Sequence, residues 1–183
     1  MKFLHYKRKN FDLIKKRGNN LKRISVAFTG PSNSGKTTLI VRLSTILKEK
    51  GYKVSIIKHD PKDKAIFDKE GKDSYKFSNT CADVAVLSKN RTTIFKKSFS
   101  TIDETIEMLG DFDYLFVEGL KTLDLPRIAI FRDIINYDYL EVSDAIATDY
   151  TIKNQDIPIN RLHLDLNNIN MIINWIDKYG KKV

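Results

Sequence analysis

The sequence has very little cysteine, since Cys81 is the single one in 183 residues. One thiol cannot form an internal disulfide or a four-cysteine metal site, so neither of these can stabilise the fold. Long apolar runs are also missing, because no stretch approaches the roughly 18 residues that a membrane-spanning helix needs. We therefore expect a soluble protein that is stabilised by the packing of a hydrophobic core.

The start of the chain lacks the apolar stretch of a secretory signal. Lys7, Arg8 and Lys9 follow closely after Phe3 and Leu4, whereas a signal needs a longer apolar run behind its basic start. This predicts a cytoplasmic protein. The length, with 42% hydrophobic and 30% charged residues, is typical of one globular domain with a sizeable core.

The net charge of +9 comes almost entirely from one end of the chain. Residues 1–23 contain nine lysines and arginines against one acidic residue, Asp12, whereas residues 24–183 contain 23 basic and 22 acidic side chains. A nucleic-acid groove in the fold would need its positive charge on the folded surface. We predict a flexible basic extension over 1–23 and a single, nearly neutral domain over 24–183. Binding of nucleic acid or an anionic membrane by the extension stays open as an alternative function.

A buried strand is predicted from Ile24, where the basic segment gives way to an apolar run that is closed by Gly30. Apolar residues then recur at helical spacing from Leu39 to Leu47, and a second apolar strand follows over 54–57. A strand, a glycine-containing turn, a helix and a strand in this order form a βαβ unit. The predicted fold class is α/β, with a mostly parallel sheet and helices on both faces.

The same patterns predict further elements along the chain. The predicted strands are 84–87, 92–95, 114–117, 127–131 and 145–147. Three further helices are predicted: one begins at Asp73, one begins at Thr101 or Asp103, and one spans 168–179. The charged segment 60–72 is longer than ordinary connections in a compact domain. We interpret this segment as a mobile loop beside a functional site.

Residues 30–37, Gly-Pro-Ser-Asn-Ser-Gly-Lys-Thr, carry the most specific chemical signal. They fit the pattern G-x-x-x-x-G-K-[ST] between a predicted strand and a predicted helix, which is the context of a phosphate-binding loop, or P-loop. In such a loop, backbone N–H groups turn toward the phosphates, Lys36 supplies positive charge and Thr37 supplies a hydroxyl ligand for Mg²⁺. The predicted nucleotide-binding residues here are Gly30, Pro31, Ser32, Asn33, Ser34, Gly35, Lys36, Thr37 and Thr38. The alternative is an ordinary glycine-rich turn.

A carboxylate at the end of another strand would complete a magnesium site. Strand direction places Asp113 at the far end of a predicted strand and Glu118 at its phosphate end, because parallel sheets bind ligands at the carboxyl ends of their strands. Glu118 is therefore the predicted metal ligand beside Thr37, and its alternative role is that of a capping or ion-paired carboxylate. Lys36 and Asp60 are the predicted catalytic residues, since Asp60 follows the second strand at a similar strand end, within reach of Mg²⁺ or the attacking water.

Recognition of the base is predicted to depend on Asp149. This residue closes the run Ala-Ile-Ala-Thr-Asp at another predicted strand end, where its carboxylate suits the N1 and N2 donors of guanine. The segment 153–156, Lys-Asn-Gln-Asp, has the first two residues inverted relative to the Asn-Lys-x-Asp of guanine-specific GTPases. A simple loop aspartate is the alternative interpretation of Asp149.

Five segments in this order resemble the molybdopterin-guanine dinucleotide biosynthesis adaptor family, MobB. The segments are Gly30–Thr38, Ile57–His59, Gly71–Tyr75, Val117–Lys121 and Ile128–Arg132, and the resemblance extends over residues 24–179. It implies a P-loop NTPase-type fold and a homodimer that binds GTP with Mg²⁺ and hydrolyses it weakly. It also implies two partners, namely the molybdenum cofactor guanylyltransferase, which joins GMP to molybdopterin, and molybdopterin or its guanine dinucleotide.

A small-molecule kinase or an ATP-dependent ligase of the dethiobiotin-synthetase type is the alternative enzyme class. Such an enzyme shares a phosphate loop and a Val-Glu-Gly strand end, but it needs an acceptor pocket and turns over a second substrate. The sequence shows no obvious second nucleophile and no convincing general base. Positioning and electrostatics would have to supply any catalysis, so we expect slow hydrolysis at most.

Overall fold

The structure is a computed structural model that describes residues 21–183. The described chain divides into two compact units, one that extends to His59 and resumes with Asp111–Val183, and one formed by Asp60–Gly110. The range 24–183 that the sequence predicts as one domain contains both units. Residues 1–20, which make up most of the predicted basic extension, lie outside the described residues.

The helices and strands of the described residues follow one another along the chain. They are β1 (Ile24–Thr29), α1 (Lys36–Glu49), β2 (Val54–Lys58), α2 (Asp73–Ser78), β3 (Val84–Leu87), β4 (Thr92–Phe95), α3 (Ile102–Leu109), β5 (Tyr114–Glu118), β6 (Arg127–Phe131), α4 (Tyr137–Leu140), β7 (Ala145–Thr148), a 3₁₀ turn (Asn154–Asp156), β8 (Leu162–Asp165), α5 (Ile169–Tyr179) and β9 (Lys181–Lys182). Over residues 21–183, no helix is both long and apolar enough to cross a membrane.

The first unit is built on a seven-stranded sheet with the order β2-β5-β1-β6-β7-β8, in which β9 also pairs with β1. Every pair is parallel except that of β9, which runs antiparallel to the start of β1. β9 pairs with Ile24 and Ser25, while β6 pairs with 27–29. This sheet confirms the predicted α/β fold class. β8 and β9 are not among the predicted strands, because β8, Leu-His-Leu-Asp, has no apolar run and β9 consists of two lysines.

Both faces of the sheet are covered. On one face, the main hydrophobic cluster includes Leu43 of α1 and Ile176 of α5, which are fully buried. On the other face, Phe131 of β6 packs in a second cluster with Leu140 of α4 and with Ile152. The two clusters take alternate residues of β6, as the pleat of a strand requires. Among the described elements of this unit, the long helices lie on the first face and the four-residue α4 lies on the second.

The side chain of Asn168 caps α5, since its Oδ1 accepts a hydrogen bond from the backbone N–H of Met171 at 3.0 Å. The helix predicted over 168–179 is therefore confirmed, with its first residue as the cap.

Just before β1 in the same unit, Lys22 and Arg23 contact the folded chain. Lys22 Nζ donates to Asp177 of α5 at 2.9 Å, and Arg23 Nε donates to the carbonyl of Val183 at 2.6 Å.

The second unit contains the antiparallel pair β3–β4, in which Val84 lies opposite Phe95. Both strands have the predicted bounds. α3 begins after Thr101, whose hydroxyl accepts from the N–H of Glu104 while the Glu104 carboxylate accepts from the N–H of Thr101. This reciprocal capping box decides between the two predicted starting points of the helix. The segment 60–72 contains no regular helix or strand.

Candidate nucleotide-binding site

The phosphate loop connects the end of β1 to the start of α1 and depends on two glycines with left-handed backbone angles. Gly30 has φ of 139°, and a Cβ atom there would lie 2.3 Å from the carbonyl oxygen of Ile130. Gly35 has φ of 97° and is the residue before α1. Asn33 between them has φ of 63°. A side chain at Gly30 would displace β6 or the loop, so the sequence pattern and the local geometry agree.

The N-terminus of α1 is suited to an anion. The residue before the helix provides no side-chain cap, and the first turn contains no acidic residue. The first backbone N–H groups of a helix have no partner within it, and the helix dipole adds partial positive charge there. In the same loop, the buried Oγ of Ser34 has no hydrogen-bond partner among the described residues. The loop thus presents donors that a phosphate group can satisfy.

Lys36 lies at the start of α1 and is turned toward the loop itself. Its Nζ donates to the carbonyl oxygens of Gly30 at 3.0 Å and of Pro31 at 2.6 Å. Burial lowers the pKa of the Lys36 ammonium below its ordinary value; the charge of Glu118 opposes this shift and the charge of Lys58 adds to it. A bound phosphate would therefore supply the negative charge that favours the protonated amine.

Glu118 ends β5 at the same edge of the sheet as the phosphate loop. It lies opposite Phe28 of β1 and Lys58 of β2 in the strand register, and it is half-buried. Its carboxylate and the hydroxyl of the exposed Thr37 are hard oxygen donors, which suit Mg²⁺. Over residues 21–183, no group of three or more His, Cys, Asp and Glu side chains is placed to hold a metal ion. A magnesium ion here would need further oxygen ligands from phosphate and water.

The loop after Glu118 is fixed by a buried arginine. Gly119 and Leu120 both have positive φ, of 91° and 46°. The side chain of Arg127 is among the largest fully buried ones and donates to the carbonyl oxygens of Gly119 at 2.9 Å and of Leu120 at 2.8 Å. Burial lowers the pKa of Arg127, and the charge of Asp144 opposes this. The guanidinium therefore stabilises an unusual backbone conformation directly beside the predicted metal ligand.

A second arginine, Arg132, follows β6 and faces the phosphate loop. A Cβ atom built on Gly35 would lie 3.3 Å from the Arg132 Cζ. Arg132 also lines a cavity of about 290 Å³ whose other lining residues are Asn33, Gly35, Lys36, Thr37 and Thr38. Its Nε lies 3.1 Å from Oδ2 of Asp149 in an ion pair. We refer to this space as the phosphate cavity.

Asp149 follows β7 and is mostly buried, with 9% of its side chain exposed. Its Oδ1 accepts hydrogen bonds from the backbone N–H of Thr151 at 3.1 Å and from the Thr151 hydroxyl at 2.6 Å. Burial alone would raise the pKa of Asp149, but these hydrogen bonds and the charge of Arg132 lower it below its ordinary value. The carboxylate is thus charged at neutral pH.

Asp149 also lines a second cavity, which we call the β7–β8 cavity. Its volume is about 350 Å³, and it lies where the carboxyl ends of β7 and β8 meet. Its lining residues are Thr148, Asp149, Tyr150, Ile152, Asn154, His163, Asp165 and Asn167. Polar groups and an aromatic ring around a space of this kind are suited to a planar, hydrogen-bonding ligand.

The predicted site residues of the first unit lie at one edge of its sheet, since the P-loop, Glu118 and Asp149 all follow carboxyl ends of parallel strands. Asp60 belongs to the second unit, and its Oδ2 accepts from the backbone N–H groups of Lys64 and Ala65, each at 2.7 Å. Its catalytic role therefore stays a prediction. The far end of β5 is occupied by Asp113, as predicted.

Two arginines of the site are not among the residues predicted from the sequence. Arg127 begins β6 and Arg132 follows it, so one short strand separates them. A basic residue at each end of an otherwise apolar strand is a weak signal, because such residues are commonly solvated. Only the folded sheet shows that one is fully buried and that the other faces the phosphate loop.

Comparison with known protein families identifies the group of proteins in which this site occurs. The family model for molybdopterin guanine dinucleotide synthesis protein B, MobB, matches residues 25–149. The chain belongs to the MobB family. The match includes the phosphate loop, Glu118, both arginines and Asp149, and it confirms the predicted family and its P-loop fold.

Individual relatives agree with this assignment. A relative from Methanocaldococcus jannaschii is 32% identical over 139 residues, which are 72% of this chain and only 58% of the relative. A molybdopterin-guanine dinucleotide biosynthesis adapter protein from Haemophilus influenzae is 29% identical over 164 residues, or 84% of this chain and 88% of the relative. The crystal structure of Bacillus subtilis MobB has a TM-score of 0.68 at 21% identity and covers 87% of this chain and 99% of its own, which shows the shared fold.

Proposed function

We propose that this protein binds GTP together with Mg²⁺ and acts as an adaptor that assists the formation or delivery of molybdopterin guanine dinucleotide. The observation that carries the nucleotide proposal is the P-loop, in which Nζ of Lys36 at the start of α1 donates to the carbonyl oxygens of Gly30 and Pro31. The pathway proposal is supported by membership of the MobB family and by the description of the H. influenzae relative.

Each group of the site has a distinct part in the proposed binding. Lys36 and the first N–H groups of α1 bind the β- and γ-phosphates, while Thr37 and Glu118 hold the metal ion. When bound, Mg²⁺ neutralises charge on the phosphate oxygens. Asp149 accepts hydrogen bonds from N1 and N2 of guanine in the β7–β8 cavity, and this selects GTP over ATP.

Hydrolysis of GTP is proposed to be slow. None of the residues that line the phosphate cavity is a carboxylate or a histidine that can accept a proton from an attacking water. The cations and N–H donors of the loop stabilise charge on the phosphates without activating the nucleophile. A slow site is better suited to a protein that hands over a ligand or switches between states than to a metabolic enzyme.

The proposed partners are the molybdenum cofactor guanylyltransferase and molybdopterin or its guanine dinucleotide, and the proposed assembly is a homodimer. Purified protein should bind GTP more tightly than ATP in titration calorimetry with Mg²⁺. It should also increase conversion of molybdopterin to the guanine dinucleotide when the transferase is present. The comparison variant is Lys36→Ala, in which GTP affinity should fall by about tenfold or more and the stimulation should fall with it.

The outcomes separate this proposal from its alternatives. Formation of the dinucleotide without the transferase would show that the protein is itself the transferase. Phosphorylation or ligation of a small acceptor with ATP would support the kinase or ligase class. Removal of residues 1–20 should leave GTP affinity and stimulation unchanged, whereas loss of a nucleic-acid or membrane partner would support a function of the basic extension.

A further inference from the structure

The ion pair between Arg132 and Asp149 joins the two cavities of the site. Arg132 lines the phosphate cavity, Asp149 lines the β7–β8 cavity, and the Nε–Oδ2 distance between them is 3.1 Å. In the proposed function the phosphates occupy the first cavity and the base occupies the second. How this ion pair responds to the two halves of one nucleotide is therefore an inference that rests on the proposed binding of GTP.

Both carboxylate oxygens of Asp149 are engaged in this arrangement. Oδ1 accepts two hydrogen bonds from Thr151, and Oδ2 lies 3.1 Å from the Arg132 Nε in the ion pair. A carboxylate oxygen accepts about two hydrogen bonds, so the remaining acceptor capacity is at Oδ2. The N1–H and N2–H donors of guanine must therefore approach the oxygen beside Arg132, and they displace its guanidinium from the ion pair.

The ion pair with Arg132 is the contact that a second part of the same ligand can replace. Thr151 lies two residues from Asp149, and its bonds belong to the local turn. The Arg132 side chain, in contrast, is 42% exposed and faces the phosphate loop. A guanidinium binds phosphate oxygens through paired, charge-assisted hydrogen bonds. A phosphate in the cavity therefore offers Arg132 a new ionic contact that replaces its ion pair with Asp149.

We propose that Arg132 couples recognition of the base to binding of the phosphates, because it pairs with Asp149 in the absence of nucleotide and is transferred to a phosphate when GTP binds. Guanosine, which lacks phosphates, must break the ion pair without compensation. GTP replaces it with a new ionic contact. The two halves of the nucleotide thus bind with positive coupling, and guanine-containing molecules without phosphate are bound poorly.

The test compares GTP and guanosine on matched variants. In Arg132→Met, which removes the charge at similar length, GTP affinity should fall about tenfold, since a charge-assisted phosphate contact is lost. Guanosine affinity should rise about fivefold, since the carboxylate of Asp149 is released. Arg132→Lys, which keeps a cation but not the planar fork, should lose less GTP affinity than Arg132→Met and should leave guanosine affinity unchanged, since a cation can still pair with Asp149. Arg91→Met, at an exposed position of the second unit, is the control and should change neither.

Opposite changes for the two ligands are the supporting result, because a merely structural arginine would lower both affinities together. No gain of guanosine affinity in Arg132→Met overturns the inference, including the case in which guanosine binds to none of the proteins. Thermal unfolding of each variant identifies loss of the fold. Binding of GTP by the unaltered protein is measured first, since its absence refutes the proposed function itself, whereas normal GTP binding without a guanosine gain refutes only the coupling.

Discussion

The guanidinium of Arg127 donates a hydrogen bond to the carbonyl oxygen of Gly119 at 2.9 Å, one residue after the predicted metal ligand Glu118. Arg127 is only 1% exposed, and the same group also donates to Leu120. A buried cation has lost its water, so it depends on these carbonyl oxygens for compensation. The carbonyls in turn depend on the arginine, so the backbone after Glu118 at the end of β5 is held by a side chain from β6, on the far side of β1.

Replacement of Arg127 by Met should destabilise the protein by about 3 kcal/mol, because buried carbonyl groups are left without donors. It should also weaken nucleotide binding more in Mg²⁺ than in EDTA, since the main change in the site is at the metal ligand. Urea unfolding and calorimetry measure the two effects. Arg127→Lys, which keeps the charge, should recover part of both. Equal losses in Mg²⁺ and in EDTA would show that the arginine does not act through Glu118.

Lys36→Ala and Thr37→Ala should damage different parts of the site. The lysine variant removes a charge that faces phosphate, so GTP affinity should fall by about tenfold or more with or without metal. The threonine variant removes a metal ligand, so the loss should occur chiefly in Mg²⁺. The measurement is GTP affinity in Mg²⁺ and in EDTA for both variants. Identical behaviour of Thr37→Ala in the two conditions would contradict its assignment as a ligand.

Glu118→Gln preserves the shape of the side chain and deletes its charge. Metal-dependent GTP hydrolysis should fall by about one order of magnitude, because Mg²⁺ is held less tightly. Stability without nucleotide should change by no more than about 0.5 kcal/mol, since the carboxylate is not the part of the residue that pairs in the sheet. Phosphate release and thermal unfolding provide the two measurements. A collapse of stability without nucleotide would support a structural role.

Asp149→Asn should change the choice of base. An amide cannot accept both the N1–H and N2–H donors of guanine, but it can donate to the C2 carbonyl of xanthine while accepting from N1–H. GTP affinity should therefore fall and xanthosine triphosphate affinity should rise, each by about tenfold. Competition between the two nucleotides measures the ratio directly. An unchanged ratio would assign Asp149 to the local turn with Thr151 alone.

The hydroxyl of Tyr114 provides a prediction about alkaline pH. It donates to Asp177 at 2.7 Å and accepts from Lys22 at 2.5 Å. Burial, aided by Asp177, raises the pKa of Tyr114 to about 12, while Lys22 opposes the shift. A pKa above the ordinary 10 means that the folded state favours the protonated phenol, so this stabilisation is complete below pH 10 and is lost as the pH rises toward 12.

Tyr114→Phe should therefore lower the free energy of unfolding by about 1 kcal/mol at pH 8, and the difference from the unaltered protein should shrink between pH 10 and 12. Urea unfolding at several pH values measures this difference. Tyr150→Phe, at a position that is 90% exposed, is the control and should have no comparable effect. A difference that stays constant across this pH range would disprove the role of the phenol.

The sequence by itself determined the features that depend on neighbouring residues. The P-loop is recognisable because its glycines, lysine and threonine must be contiguous for backbone N–H groups to surround a phosphate. β1, β5 and β6 are recognisable because central parallel strands are buried on both faces and read as apolar runs. The position of Glu118 at the phosphate end follows from strand direction alone.

Only the tertiary structure decided which distant residues meet. Arg132 and Asp149 lie in loops after two adjacent strands, and their ion pair depends on the order and register of β6 and β7. Long-range contacts likewise determine three other features: the burial of Arg127, the pairing of β9 with β1, and the separate unit Asp60–Gly110. Such contacts leave no local periodicity, because a side chain's partner across a sheet is set by the packing of the whole layer rather than by its neighbours along the chain.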